Sequence, residues 1–184
     1  MIREIKAGEI LKEKIKTGLF RFLNKEIGGE EFEEWTYLFC DDLEKELPLD
    51  DYLDIMCFDY RKKDGYYTFA KLLFRNINRM EFENYRLRKL FAKARYDDGI
   101  LESALVEAYE LANNGNEVFR ELGYEYGLML IDGYYIGKTN WCIAKTNREF
   151  IEKYRKKIYI HVEKIIKLLN EQTLELDIQG LGRY

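Results

Sequence analysis

A single histidine, His161, lies between Ile160 and Val162, so catalysis of the Ser-His-Asp or Cys-His kind has only one base available. Its setting on a long amphipathic segment is that of a packed or surface residue. No HExxH is present, and no Glu stands three residues ahead of His161, as a ferritin-like metal pair requires. Gly137-Lys138-Thr139 has the tail of a phosphate-binding loop, in which successive backbone amides wrap the phosphates. The upstream Gly133 is one residue too close, however, and Asp132 fills the position that needs glycine. A carboxylate there repels phosphate, so the segment reads as a loop bearing a lysine.

The adjacent acids Asp41-Asp42 and Asp50-Asp51 are of the right type for acid/base work. Their position ahead of apolar helical runs reads instead as helix capping. Cys40, Cys57 and Cys142 are odd in number, widely spaced and form no CxxC pair. That pattern reads as buried free thiols in a reducing cytosol, not as a disulfide framework or zinc site. The expected sets of catalytic, cofactor-binding and metal-ligating residues are therefore empty. An enzyme whose carboxylates gather from distant positions is the one catalytic reading that spacing does not address.

Whatever the chain does must be carried by helices. Its 184 residues are 47% hydrophobic, 35% charged and 15% aromatic, too apolar for a disordered chain and too charged for a membrane protein. The longest apolar run, around Leu128 to Ile131, is far short of the ~20 residues of a membrane span. Arg3, Glu4, Lys6 and Glu9 interrupt any secretory core, which makes the expected location cytoplasmic. One proline, Pro48, argues for long helices with short connections.

Apolar residues recur at three- and four-residue spacing almost throughout. Helices are expected over 2–23, through Phe32, Trp35, Phe39 and Leu43 after a Gly28-Gly29 break, from Asp50 to about Tyr60, and from Tyr66 after an Asp64-Gly65 turn. Later starts are Asn78 with Glu81, Asp97 or Asp98 (ending at Asn114-Gly115), Asn116, and Thr146 with Glu149. The fold class is all-α: a single-domain bundle or stacked α-hairpins of about eight helices over residues 1–170, with 171–184 a loosely held tail. Near 128–136 a helix to about Ile131, stopped at Gly133, is preferred over a β-hairpin turning at Asp132-Gly133, because Phe119, Leu122, Tyr126 and Met129 keep the 3–4 spacing.

Charge is strongly segregated. The net of −4 hides blocks: residues 30–54 carry 11 acids and one base, 61–95 carry 11 bases and 3 acids, and 97–125 carry 8 acids and one base. Helices of opposite sign packed side by side are the plain explanation. The functional one is a field presented to a partner. For a cationic protein the candidate residues are Glu30, Glu31, Glu33, Glu34, Asp41, Asp42, Glu44, Asp50 and Asp51. Tyr134, Tyr135 and Trp141, on a loop between two helices, are added as aromatic anchors. The alternative is nucleic-acid binding or regulation through 61–95, where Arg79, Arg86, Lys89 and Lys93 fall near one helical stripe beside Tyr85.

Two resemblances bear on these readings. Phe119-x-x-Leu122-Gly123-x-x-Tyr126 is similar to the first-helix signature of a tetratricopeptide repeat, where the small Gly lets paired helices approach closely. Tyr135 and Thr139 depart from that family's second helix, so the likeness implies a helical hairpin and not a repeat array. Phe32-x-x-Trp35-x-Tyr37, then Leu43-Glu44 and Asp51-Tyr52-Leu53, resembles a pattern in small bacterial helical proteins, some of immunity type. That resemblance implies a cytosolic inhibitor binding a cationic toxin domain through an acidic face. It carries over no individual functional residue.

Overall fold

Hydrophobic spacing of the helical kind extends through the chain, and the computed structural model is all-α. It describes residues 12–61, 65–135, 140–171 and 176–177, with backbone alone at 132–135 and 140–146, and no strand occurs among them. Two compact units, Met1–Glu83 and Asn84–Tyr184, meet within one helix. The first contains α1 (Glu13–Leu23), α2 (Gly29–Leu38), α3 (Cys40–Glu46), α4 (Leu49–Met56), α5 (Gly65–Asn76) and the opening of α6 (Arg79–Ala94). The second contains the rest of α6, α7 (Asp98–Asn113), a 3-10 turn at Glu117–Phe119, and a continuous run. That run passes from α8 (Arg120–Leu122) through a π-helical stretch, Gly123–Gly127, to α9 (Leu128–Tyr135). The long α10 (Asn140–Asn170) follows.

The first unit is built on aromatic rings. Phe32 of α2 stacks on Phe22 of α1 at 4.3 Å between centroids and meets Phe69 of α5 edge-on at 5.8 Å. Trp35 stacks on Phe32 at 5.2 Å, over a position in α1 where Gly18 leaves out a side chain. Such offset and edge-on pairs add to the burial of large apolar area. α1 ends with Lys25 in the left-handed region, φ 55. Lys25 N–H donates to the Phe22 carbonyl and Glu26 N–H to the Arg21 carbonyl, closing the helix's free carbonyls.

In the second unit, α7 buries Leu101, Ala104, Leu105, Ala108, Leu111 and Ala112. Its cap is as expected: Asp97 accepts from the Gly99 and Ile100 amides, at 2.8 and 3.1 Å. Its end is as expected too, with Gly115 at φ 87, a conformation costly for other residues. Opposite Ala108 and Leu105 lie Gly123 and Gly127. A Cβ on Gly123 would come within 2.6 Å of the Ala108 carbonyl oxygen, so the helix pairing implied by the Gly123 signature is with the preceding helix, α7. α10 buries Ile151, Ile158, Val162, Ile165, Ile166 and Leu169. Arg155 of α10 forks onto both Asp98 carboxylate oxygens at 2.8 Å, and these bonds hold the Asp98 carboxyl below its usual range.

Several expectations need correcting. The stretch 128–135 is helical, as preferred over the hairpin, but the helix passes through Gly133 without stopping, since a glycine inside a helix costs only about 1 kcal/mol. The helix expected through Phe32, Trp35, Phe39 and Leu43 is two, broken at Phe39, whose φ −112 and ψ 19 leave the helical range. α4 ends at Met56, before Tyr60, whose hydroxyl donates back to the Ile55 carbonyl at 2.7 Å. Thr146 and Glu149 start nothing, since α10 already begins at Asn140. The thiols are not all buried: Cys57 is exposed at the end of α4, Cys40 half-buried, and the Cys142 side chain is outside the described residues. The Asn78 cap holds, its Oδ1 accepting from the Met80 and Glu81 amides.

Asn116 caps no helix. Buried, it donates through Nδ2 to the Leu111 carbonyl (3.0 Å) and the Asp177 carbonyl (3.1 Å), while its Oδ1 accepts from the Asp177 amide (2.7 Å). The side-chain amide thus pairs with a backbone unit beyond α10, next to the buried Leu176. Each such bond contributes about 1 kcal/mol net, so losing all three in Asn116→Ala is expected to cost about 3 kcal/mol in a urea titration. Hydrogen exchange at the Asp177 amide should quicken at the same time. Unchanged protection of that amide would show that the segment is held by Leu176 alone.

Candidate protein-binding face

The acidic run 30–54 falls on α2, α3 and α4, short helices of the first unit that pack on one another. Each turns one face inward: Phe32 and Thr36 of α2, Leu43 of α3 and Ile55 of α4 are buried. At ~3.6 residues per turn, the opposite faces hold Glu30, Glu34, Tyr37 and Leu38 on α2, Asp41 and Glu44 on α3, and Asp50 and Asp54 on α4. All of these are exposed.

Four acids of the run are matched by cations. Glu31 pairs with Arg21 at 3.1 Å, Asp42 and Glu46 with Lys12 at 3.4 and 3.1 Å, and Asp51 with Arg75 at 3.5 Å. Asp51 also accepts from Asn76 Nδ2 at 3.0 Å, which ties α4 to α5. Hydrogen bonds to Glu46, and then Asp42, raise the Lys12 ammonium above its ordinary value. Glu30, Glu33, Glu34, Asp41, Glu44, Asp50 and Asp54 make no ion pair with a described residue. Their field reaches the tyrosines between the helices. Tyr52 is raised by desolvation first and then by the charges of Glu44, Cys40 and Asp41; Tyr60 is pushed well up by burial, with Glu33 adding to it.

The basic run 61–95 draws on the acidic one only at Arg75–Asp51 among the described residues. Four of its other cations are occupied nearby. Arg86 is half-buried and pairs with Glu107 at 2.6 Å, Arg95 pairs with Glu163, Arg79 lies over the Phe74 ring and Lys89 over the Tyr85 ring. The stripe read from Arg79, Arg86, Lys89 and Lys93 is therefore interrupted at Arg86. His161 sets Nδ1 3.3 Å from Glu121, beside the Tyr126 ring. Among the described residues no group of three or more His, Cys, Asp or Glu is placed to hold a metal ion.

Tyr134, Tyr135 and Trp141 do not lie on a loop. The first two end α9 and the third is in the first turn of α10, and their side chains are outside the described residues, as is the whole of Gly137-Lys138-Thr139. The apolar residues beside the acids are others, which spacing did not single out. Leu38 is 77% exposed, Leu49 63%, Tyr37 56% and Leu53 47%. Among the described residues, four of the nine exposed large hydrophobic ones thus fall within 37–53. Leu49 and Leu53 could have been found from their four-residue spacing on the side of α4 away from Ile55.

The structure defines an all-α protein in which three short helices, α2–α4, turn acids and apolar side chains outward. No protein-family model, curated protein or solved structure matches the chain. No helix among the described residues is long and apolar enough to cross a membrane.

Proposed function

We propose that the chain is a non-catalytic protein-binding domain that takes a cationic partner protein on the outward faces of α2–α4, as an immunity-type protein neutralises a toxin domain. One observation carries the reading. Seven acids of α2–α4, six of them exposed on the outward faces and Glu33 half-buried, make no ion pair with a described residue, and they stand among exposed Tyr37, Leu38, Leu49 and Leu53. Uncompensated charge steers an oppositely charged partner, and exposed aromatic and aliphatic side chains supply what charge at the rim does not.

The test is co-expression with cationic nuclease toxin domains, including any encoded in the adjoining reading frame, followed by binding kinetics on the pair that survives. The expected result is protection of the host cells. Neutralising Glu30→Gln, Glu34→Gln, Asp50→Asn and Asp54→Asn together should slow association about tenfold or more at low salt. Protection by no toxin domain, or an association rate indifferent to those four changes, would end the reading.

A further inference from the structure

We infer that the outward face of α4 is the ridge onto which an amphipathic basic helix of the partner docks, with Leu49 and Leu53 as the anchors; this rests on the protein-binding reading above. The inner side of α4 is fixed. Ile55 is fully buried, Asp51 is held by Arg75 and Asn76 of α5, and Pro48 opens the helix in extended backbone, φ −55 and ψ 142. The outer side has no such ties to a described residue. Leu49 and Leu53, one turn apart, form an apolar ridge with Cβ atoms about 5–6 Å apart. Asp50 and Asp54 follow each leucine and make no ion pair with a described residue.

The complement of that pattern is a surface with apolar side chains at three- or four-residue spacing and lysine or arginine beside them. A basic amphipathic helix presents this, ridge into groove. Phosphate backbones and anionic lipid surfaces do not, because the same carboxylates repel them. The platform is already shaped before the partner arrives, so little ordering is needed on this side. Anchors and charges then divide the work: the leucines hold the bound helix, and the aspartates speed its arrival and set its register.

The probe is a fluorescent peptide of about 18 residues, with leucines on one helical face and lysines elsewhere, titrated with the full chain. A peptide of the same composition in scrambled order is the control. The ordered peptide is expected to bind about tenfold tighter or more. Leu49→Ala with Leu53→Ala should erase that difference, while Asp50→Asn with Asp54→Asn should weaken both peptides and flatten their salt dependence. Circular dichroism should be unchanged in both variants, since all four side chains are exposed.

Equal binding of ordered and scrambled peptides, or a difference that survives the leucine changes, overturns the helix-docking inference and leaves acid-driven protein binding standing. Failure of both peptides to bind at low salt removes the helix inference and counts against the acidic face itself. Self-association of the chain that is lost with the two leucines would assign the ridge to a second copy, and overturns the inference as well.

Discussion

Replacing Phe32 by alanine is expected to lower the stability of the first unit by about 4 kcal/mol, the largest effect of any change considered for this chain. Phe32 is fully buried and touches rings from three directions in sequence: Phe22 before it, Trp35 on its own helix, and Tyr60 and Phe69 after it. Truncation removes the transfer energy of the ring and leaves a cavity lined by rigid aromatics, which collapse poorly into it. The change also loosens α2, whose other face carries Glu30 and Glu34 of the proposed binding surface. Urea denaturation in a Trp141→Phe background, where Trp35 alone fluoresces, measures both effects. The midpoint should fall and native emission should shift to the red as the indole loses its stacking partner. Phe32→Leu should cost less than half as much. A midpoint equal to the parent's would mean that α2 is held by something other than this cluster.

Gly127→Ala should destabilise the second unit by about 2–3 kcal/mol, although alanine is the better helix former by about 1 kcal/mol. The sign is decided by what the added methyl meets. It would run into the Leu105 carbonyl oxygen of α7 and come within 2.9 Å of Tyr109 Cβ. A backbone carbonyl inside a helix cannot rotate away as a side chain can, so the two helices must move apart and loosen the contacts between them. Gly28→Ala is the control, because a Cβ there has nothing within 4 Å. Thermal unfolding of the two variants should separate clearly, with Gly28→Ala near the parent. If the two behaved alike, the close approach of the Gly123–Gly127 stretch to α7 would contribute nothing to stability.

These two residues show where the sequence could be read and where it could not. Phe32 was legible, because Phe32, Trp35, Phe39 and Leu43 follow helical spacing. The break at Phe39 was not, since an apolar residue continues the pattern whether or not the backbone does. Gly123 was legible as a point of close approach through its signature, but the partner helix was not, and Gly127 carried no signal of its own. Asn116 has the right residue type for a cap. Only its pairing with Asp177, 61 positions later, shows that its amide serves another part of the chain.

The candidate face divides along the same line. Spacing and composition determined that the chain is all-α, that a helix starts at Asp97 or Asp98 and is ended by Asn114-Gly115, and that residues 30–54 concentrate negative charge. These are local properties: periodicity, capping and charge along the chain are written in neighbouring residues. Which acids find a cation depends on residues such as Lys12, Arg21 and Arg75, brought near them by packing. So does the exposure of Leu38, Leu49 and Leu53, which share residue type and spacing with leucines that are buried. A leucine becomes an anchor or a core residue according to what covers it, and only the tertiary structure decides that.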